Sequence, residues 1–289
     1  MTPFWSVMIP TYRTEPRLLH ACVTSVLANG VDDKEVVIVN DGPPLGFDPG
    51  VRVVDNAHNL GAPGNFDECV RLAQGEWVHI LHADDAVMPG FYDAYRAVIE
   101  RDDVVMVGGQ AVVIDGAYHW TGLSPAVGPV DAAVIASRHP CNFASTVVRR
   151  AAYEKAGPFD ASLVHANDWE MWVRIACQGA VGWVDRPWAY YRRHGASSSD
   201  TLYASAGYIH DCLRAIDTFV PYFESTREQQ RVRAGARMVV SDYALAVAAD
   251  HARAGRRRAA VRDALWGVRV RPNLSSMGRA ADTIARALF

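Results

Sequence analysis

Three apolar runs, Trp5-Ser-Val-Met-Ile9, Val36-Val-Ile-Val39 and Trp77-Val-His-Ile-Leu81, constrain this chain more than any other feature. Strands this continuously apolar must be covered on both faces, which is the signature of a parallel sheet sandwiched between helices. Helical patterns fill the intervals. Pro16 to Asn29 places Leu18, Leu19, Cys22, Val26 and Leu27 on one face, and the glycine-bearing turn Asn59 to Asn65 opens a second helix reaching about Gln74. A further short strand is expected at Val51 to Val54. The alternation predicts right-handed βαβ units and an α/β fold with a mostly parallel, doubly wound, Rossmann-like sheet. Such sheets take their ligands at the carboxyl ends of the strands.

The residues that follow each run therefore matter most. They are Thr11, Tyr12 and Arg13 after Pro10, then Asp41, then the turn ending in Asn65, then His82-Ala83-Asp84-Asp85. Two adjacent carboxylates at a strand end repel unless a cation answers them, and hard divalent ions prefer carboxylate oxygen. Asp84 is placed to hold such an ion between two phosphates. A carboxylate at Asp41 suits the imide N–H of a pyrimidine, and Tyr12 suits stacking on its ring. Each residue also has an ordinary structural use, as a cap, a turn former or a solvated loop. Their joint placement at successive strand ends argues for a site. There is no GxGxxG and no GxxxxGK[ST], which disfavours a dinucleotide fingerprint or a P-loop.

Beyond residue 100 the pattern predicts separate strands at Val104 to Gly108 and Gln110 to Ile114, then a loop from Tyr118 to Val130. A strand at Ser145 to Val148, a short helix at Ala151 to Ala156 and a helix at Asp168 to Cys177 follow. Strands at Val181 to Val184 and Trp188 to Tyr191 then lead to Arg192-Arg193-His194. Asp168 opens its helix, where it serves either as a cap or, desolvated beside Trp169, as a general base with a raised pKa. The Arg-Arg-His group binds phosphate, supplies a metal ligand or forms a basic surface cluster.

Half of the 289 residues are hydrophobic, enough for a real core. Five scattered cysteines without a CxxC pair point to a reducing cytosol. The absence of a leader or an apolar run of about 20 residues points away from secretion and membrane insertion. From Arg227 onward there are thirteen arginines and five acids on a chain whose formal net charge is -3. Amphipathic patterns from Tyr203, broken near Pro221 and Pro272, predict about three helices there. This basic tail suits peripheral contact with an anionic membrane, homo-oligomerisation or a solvated helical face. No nucleic-acid partner is expected.

Six motifs in order carry a resemblance: Ser6-Val-Met-Ile-Pro-Thr-Tyr-Arg13, Val36-Val-Ile-Val-Asn-Asp-Gly42, Asn59-Leu-Gly61 with Asn65, Leu81-His-Ala-Asp-Asp85, Asn167-Asp-Trp-Glu-Met-Trp-Val-Arg174 and Tyr191-Arg-Arg-His194. In order and spacing they resemble family 2 glycosyltransferases over roughly residues 4 to 200. The resemblance implies a GT-A fold, with a nucleotide-sugar-binding half at 1–115, an acceptor-binding half at 116–200 and a helical extension at 201–289. It implies an inverting, metal-dependent transfer from a UDP- or dTDP-sugar to a hydroxyl of a glycan, lipid-linked sugar or natural product. Pro10, Thr11, Tyr12, Arg13, Asp41, Gly61, Asn65, His82, Ala83 and Asp84 would hold the donor. Asp84 and His194 would hold Mg2+ or Mn2+, Asp168 would be the base, and Trp169 and Glu170 would line the acceptor pocket. His82 stands where the family's DxD motif has its first acid. Asn40 and Asn167 likewise replace acids of the pattern. Two alternatives compete: a sugar nucleotidyltransferase, whose glycine-rich first loop is missing, and a non-catalytic nucleotide-sugar binder, favoured by His82 and opposed by Asp84 and Asp168.

Overall fold

The computed structural model describes residues 2–99, 103–125, 128–193 and 205–288. Two compact units are present, one made of Met1–Ala132, Pro140–Ala161 and Arg174–His194, the other of Ala133–His139, Ser162–Val173 and Gly195–Phe289. The strands all belong to the first unit. They are β1 (Trp5–Thr11), β2 (Lys34–Asn40), β3 (Arg52–Asp55), β4 (Trp77–Ile80), β5 (Ala86–Val87), β6 (Val104–Asp115), β7 (Trp120–Leu123), β8 (Thr146–Arg149) and β9 (Ala180–Arg193). Among the described residues they form one nine-stranded sheet in the order β3-β2-β1-β4-β8-β6-β9-β5, with β7 paired to β6. The long ladders β1–β2 and β6–β9 are parallel, while β8 runs antiparallel between β4 and β6.

Helices α1 (Pro16–Leu27), α2 (Gly61–Leu72), α3 (Phe91–Arg96) and α5 (Arg150–Ala156) accompany this sheet. Trp5, Trp77, Phe91, Tyr92 and Tyr95 are all fully buried in its core with Leu19 and Val23. That packing explains why the first hundred residues follow the predicted alternation so closely. β1 runs one residue beyond Pro10, where the sequence suggested a stop. The β4 ladder ends at the Met8–Ile80 pair, so the missing N–H of Pro10 breaks no bond there.

The two strands expected around residue 109 are one continuous β6. Gly108 and Gly109 look like a break but mark close approach: a Cβ at Gly108 would lie 2.8 Å from the Trp183 ring, and one at Gly109 2.6 Å from the Tyr95 hydroxyl. The register with β9 shifts between Gly109 and Ala111, and β9 itself joins the two strands expected at Val181 and Trp188. The loop expected at Tyr118 to Val130 contains β7, which pairs back on β6 after a turn in which the Asp115 carboxylate accepts the Ala117 and His119 N–H groups at 2.8 and 2.9 Å.

In the second unit, α4 (Ala132–Arg138) contributes Ile135, α6 (Asn167–Ala176) contributes Trp169, and the tail supplies α7 (Gly207–Phe219), α8 (Thr226–Arg253), α9 (Arg257–Val270) and α10 (Leu274–Leu288). Among the described residues the tail thus holds four helices, because Gly255, with φ +70, ends α8 at a point the sequence reading passed over. Leu245, Ala248, Ala264 and Ala280 form its core with Val268 and Ile284. Small residues permit this spacing: a Cβ on Gly267 would meet Leu245 at 2.7 Å. The compact units are interleaved in sequence, unlike the expected division at residue 200, because Ala133–His139 and Ser162–Val173 pack with the tail. The Trp169 indole, for example, donates to the Ile135 carbonyl at 3.0 Å.

Candidate active site

At the carboxyl edge of β1 and β2 lies a cleft of about 370 Å³ lined by Tyr12, Arg13, Asp41, Gly42, Pro43, Asn56, Ala57, His58 and Asn59. Asp41 organises it. Its Oδ1 accepts the Leu60 N–H at 2.7 Å and the Asn56 amide at 2.9 Å, and its Oδ2 accepts the Gly61 N–H at 2.9 Å. Helix α2 has no side-chain cap from its own N-cap residue, Leu60, so Asp41 answers those first N–H groups from another strand. Gly61 has φ +72, a backbone region that favours glycine. Oδ2 keeps acceptor capacity, because a carboxylate oxygen takes more than one donor.

The other residues expected here divide into two kinds. Tyr12 is 52% exposed, and the Arg13 guanidinium lies 5.3 Å from its ring centroid. Arg13 has φ +54, an uncommon conformation for a residue with a Cβ. Pro10, Thr11, Asn65 and Ala83 are buried. Thr11 donates to Thr14 at 2.9 Å. Asn65 donates to the Val39 carbonyl at 3.2 Å and accepts from Asn56 at 3.0 Å, bracing α2 against β2. Asn40 donates to Asp55 at 2.7 Å and holds the following turn. Sequence reasoning passed over Asn56 and His58; the signal was a cluster of amide and imidazole side chains directly after a strand.

At the end of β4, the ligand atoms of His82, Asp84 and Asp85 lie within 4.8 Å of one another. The His82 ring is stacked on Phe66, with centroids 5.5 Å apart and planes at 15°, and also contacts Phe143 at 4.6 Å. This aromatic slot holds an imidazole where a carboxylate would be poorly solvated. Burial lowers the His82 pKa, against an opposing pull from Asp84. Burial first, and Asp84 second, hold the Asp85 carboxyl well above the usual carboxylate range, opposed by Arg192. Among the described residues, His82 Nε2 and Asp85 Oδ2 are buried without a hydrogen-bond partner. Orphaned acceptors are costly. Two of them facing a neighbouring carboxylate fit a divalent cation.

Arg192, at the end of β9, secures this turn. Its N–H donates to Asp85 Oδ1 at 2.8 Å, its Nε donates to the Asp84 carbonyl at 2.7 Å, and its guanidinium lies 3.9 Å from the Tyr118 ring centroid. Only 3% of Arg192 is exposed, so it anchors the turn, a use outside the phosphate-binding, metal-ligating and surface-cluster alternatives that the sequence left open for its group. His194 lies outside the described residues.

In the second unit, Asp168 begins α6 and accepts the Trp169 N–H at 2.6 Å. It keeps partial exposure, yet its apolar surroundings push its pKa up to about 7, with a smaller contribution from Asp211. Asp211 itself accepts the His165 and Ala166 N–H groups at 2.6 and 2.9 Å, fixing the approach to α6. Trp169 is fully buried and stacks on His139 with centroids 4.7 Å apart. Glu170 is 1% exposed and accepts the Tyr222 hydroxyl at 2.7 Å. Both residues, expected to line an acceptor pocket, pack inside this unit.

Comparison with known proteins agrees with the resemblance to glycosyltransferases. An uncharacterized glycosyltransferase of Nostoc sp. is 29% identical over 217 residues, 67% of this chain and 66% of that protein. The uncharacterized glycosyltransferase EpsJ of Bacillus subtilis is 26% identical over 118 residues, 37% of this chain. That alignment spans about a third of EpsJ, 34%. Among solved structures, residues 1–349 of S. aureus TarS in complex with UDP-GlcNAc superpose with a TM-score of 0.61 at 13% identity, covering 98% of this chain and 80% of that one. The fold is therefore of the GT-A type. Residues 6–146 match the description "Glycosyl transferase family 2", so over that segment the chain is similar to the family 2 glycosyltransferases.

Proposed function

We propose that this protein is an inverting glycosyltransferase that moves a sugar from a UDP- or dTDP-sugar to a hydroxyl of a glycan, a lipid-linked sugar or a natural product. The observation that carries the reading is the His82–Asp84–Asp85 group on the same sheet edge as the cleft built around Asp41. In this reading Asp41 Oδ2 accepts the pyrimidine imide N–H, Tyr12 stacks on the base, and Arg13 and Thr11 border the ribose and phosphates. Asp84, Asp85 and His82 would hold Mn2+ or Mg2+, with His194 as a further ligand. When bound, such an ion neutralises charge on the departing diphosphate. TarS was solved with UDP-GlcNAc, which supports a uridine nucleotide.

Asp168 is the base. It takes the proton of the acceptor hydroxyl as that oxygen bonds to the anomeric carbon, and the bond to the diphosphate oxygen breaks on the opposite face, inverting the centre. A pKa of about 7 matches this task, since a base is most effective when its pKa lies near the working pH. Trp169 and Glu170 set its position from inside the second unit.

The test is a screen of UDP-, dTDP- and GDP-sugars for release of the nucleoside diphosphate, with and without Mn2+, beside calorimetry of the free nucleotides. Metal-dependent turnover of a uridine or thymidine donor is expected. Binding without turnover of any donor would reduce the protein to a nucleotide-sugar binder, and no nucleotide binding would remove the reading altogether.

A further inference from the structure

The hairpin of α9 and α10 exposes an apolar stripe that glycosyl transfer leaves unexplained. Leu274 is 90% exposed, Leu265 57%, Leu288 52% and Met277 47%. Helical spacing and the packing show that they share one side. Ala280 and Ile284 of α10 pack with Ala264 and Val268 of α9, while Arg279 reaches away to Asp242 of α8. The flank of α10 next to α9 therefore carries Met277, Ala281 and Leu288, with Leu274 at its start. On α9, Leu265 stands between Arg258 and Arg269, at spacings of seven and four residues. All three are exposed or partly exposed.

Charge settles what such a stripe suits. Arg257, Arg258, Arg269 and Arg271 surround it with at least partial exposure. Between Arg257 and Leu288 the acids are Asp263, which is fully buried, and Asp282, which pairs with Arg286 at 2.9 Å on the polar flank. Among the described residues the face thus offers apolar side chains and guanidinium groups with no carboxylate among them. A second copy docked by a twofold axis would set these arginines near their own counterparts with nothing to neutralise them. An anionic headgroup layer answers both features, taking the apolar side chains at the acyl boundary and the arginines at the phosphates. No helix among the described residues is long and apolar enough to cross a membrane. We propose that the α9–α10 face is a peripheral docking surface for an anionic lipid bilayer, independent of what the first unit catalyses.

The test is sedimentation of the full chain with vesicles of phosphatidylcholine alone, or with about one part in three phosphatidylglycerol. Binding to the anionic vesicles only is expected, weakening about tenfold or more as salt rises toward roughly 0.5 M. Leu274→Glu with Met277→Glu should abolish binding. Arg258→Gln and Arg269→Gln should each weaken it about fivefold. These positions reach the surface, and circular dichroism of each variant checks that it stays folded. Equal binding to neutral vesicles, no binding to either kind, or variants that bind as the parent does would overturn the proposal. So would a dimer dispersed by the Leu274/Met277 variant in a protein that ignores vesicles.

Discussion

The backbone N–H of Arg192 donates to the Asp85 carboxylate at 2.8 Å, joining residues 107 positions apart. The end of β9 therefore fixes the turn that follows β4, and the acidic cluster is held from both sides. Replacing Arg192 with Met keeps this backbone bond but removes the Nε contact to Asp84 and the nearby positive charge. Donor binding in the presence of Mn2+ should weaken about tenfold and stability should fall by about 1–3 kcal/mol. Calorimetry and urea unfolding check both, and unchanged Mn2+-dependent binding would show that Arg192 does not position the cluster.

His82 gives the donor set a nitrogen, which suits transition ions better than Mg2+. Mn2+ should support turnover better than Mg2+, and His82→Asp should narrow the gap while preserving or strengthening metal-dependent donor binding. The same variant should lose about 1–3 kcal/mol without metal, since it leaves a gap between Phe66 and Phe143 and adds a third carboxylate. If donor binding collapses in His82→Asp, the imidazole contacts the donor itself.

Asp168→Asn should leave nucleotide binding intact and reduce transfer about a thousandfold or more. In the parent, kcat should rise with pH and level off above about 7. Stability moves the other way. The folded state holds the Asp168 proton up to about pH 7 while the unfolded chain releases it near pH 4, so this group costs stability increasingly as pH rises across that window. Allowing for its partial exposure, Asn should therefore stabilise by about 2 kcal/mol near pH 8 and by nothing below about pH 4. Denaturant midpoints at the two pH values are the check, and equal effects at both would mean that Asp168 is not desolvated.

Asp41→Asn turns one acceptor oxygen into a donor facing N–H groups. About 1–3 kcal/mol of stability should be lost, along with most affinity for UDP. UDP binding that survives a measurable loss of stability would limit Asp41 to capping α2.

The first half of the fold was legible because each strand is an uninterrupted apolar run and each helix carries a matching face. The aromatic core around Trp5 and Trp77 enforces both. Legibility failed where packing overrides local signals. Gly108 and Gly109 read as a break, yet they admit Trp183 and Tyr95 to a continuous strand. Tyr118 to Val130 lacks alternation, yet Asp115 turns the chain so that β7 pairs by its backbone. In the site, Asp41 and His82 to Asp85 were visible as polar residues at strand ends. The anchoring by Arg192 was invisible, because it depends on a strand pairing more than a hundred residues away. Trp169 and Glu170 lie beside Asp168 in sequence, but helical periodicity turns both inward.

The left-handed backbone of Arg13, φ +54, carries one more consequence. A conformation that glycine adopts freely costs a residue with a Cβ about 1 kcal/mol. The fold bears that cost at the rim of the Asp41 cleft, where the Arg13 side chain lies over Tyr12. Arg13→Gly should therefore raise the unfolding midpoint slightly while weakening nucleotide binding, and thermal melts beside calorimetry will show whether the two quantities part. Should the two quantities part, stability and recognition oppose each other at this position, and selection for robustness alone would remove the arginine.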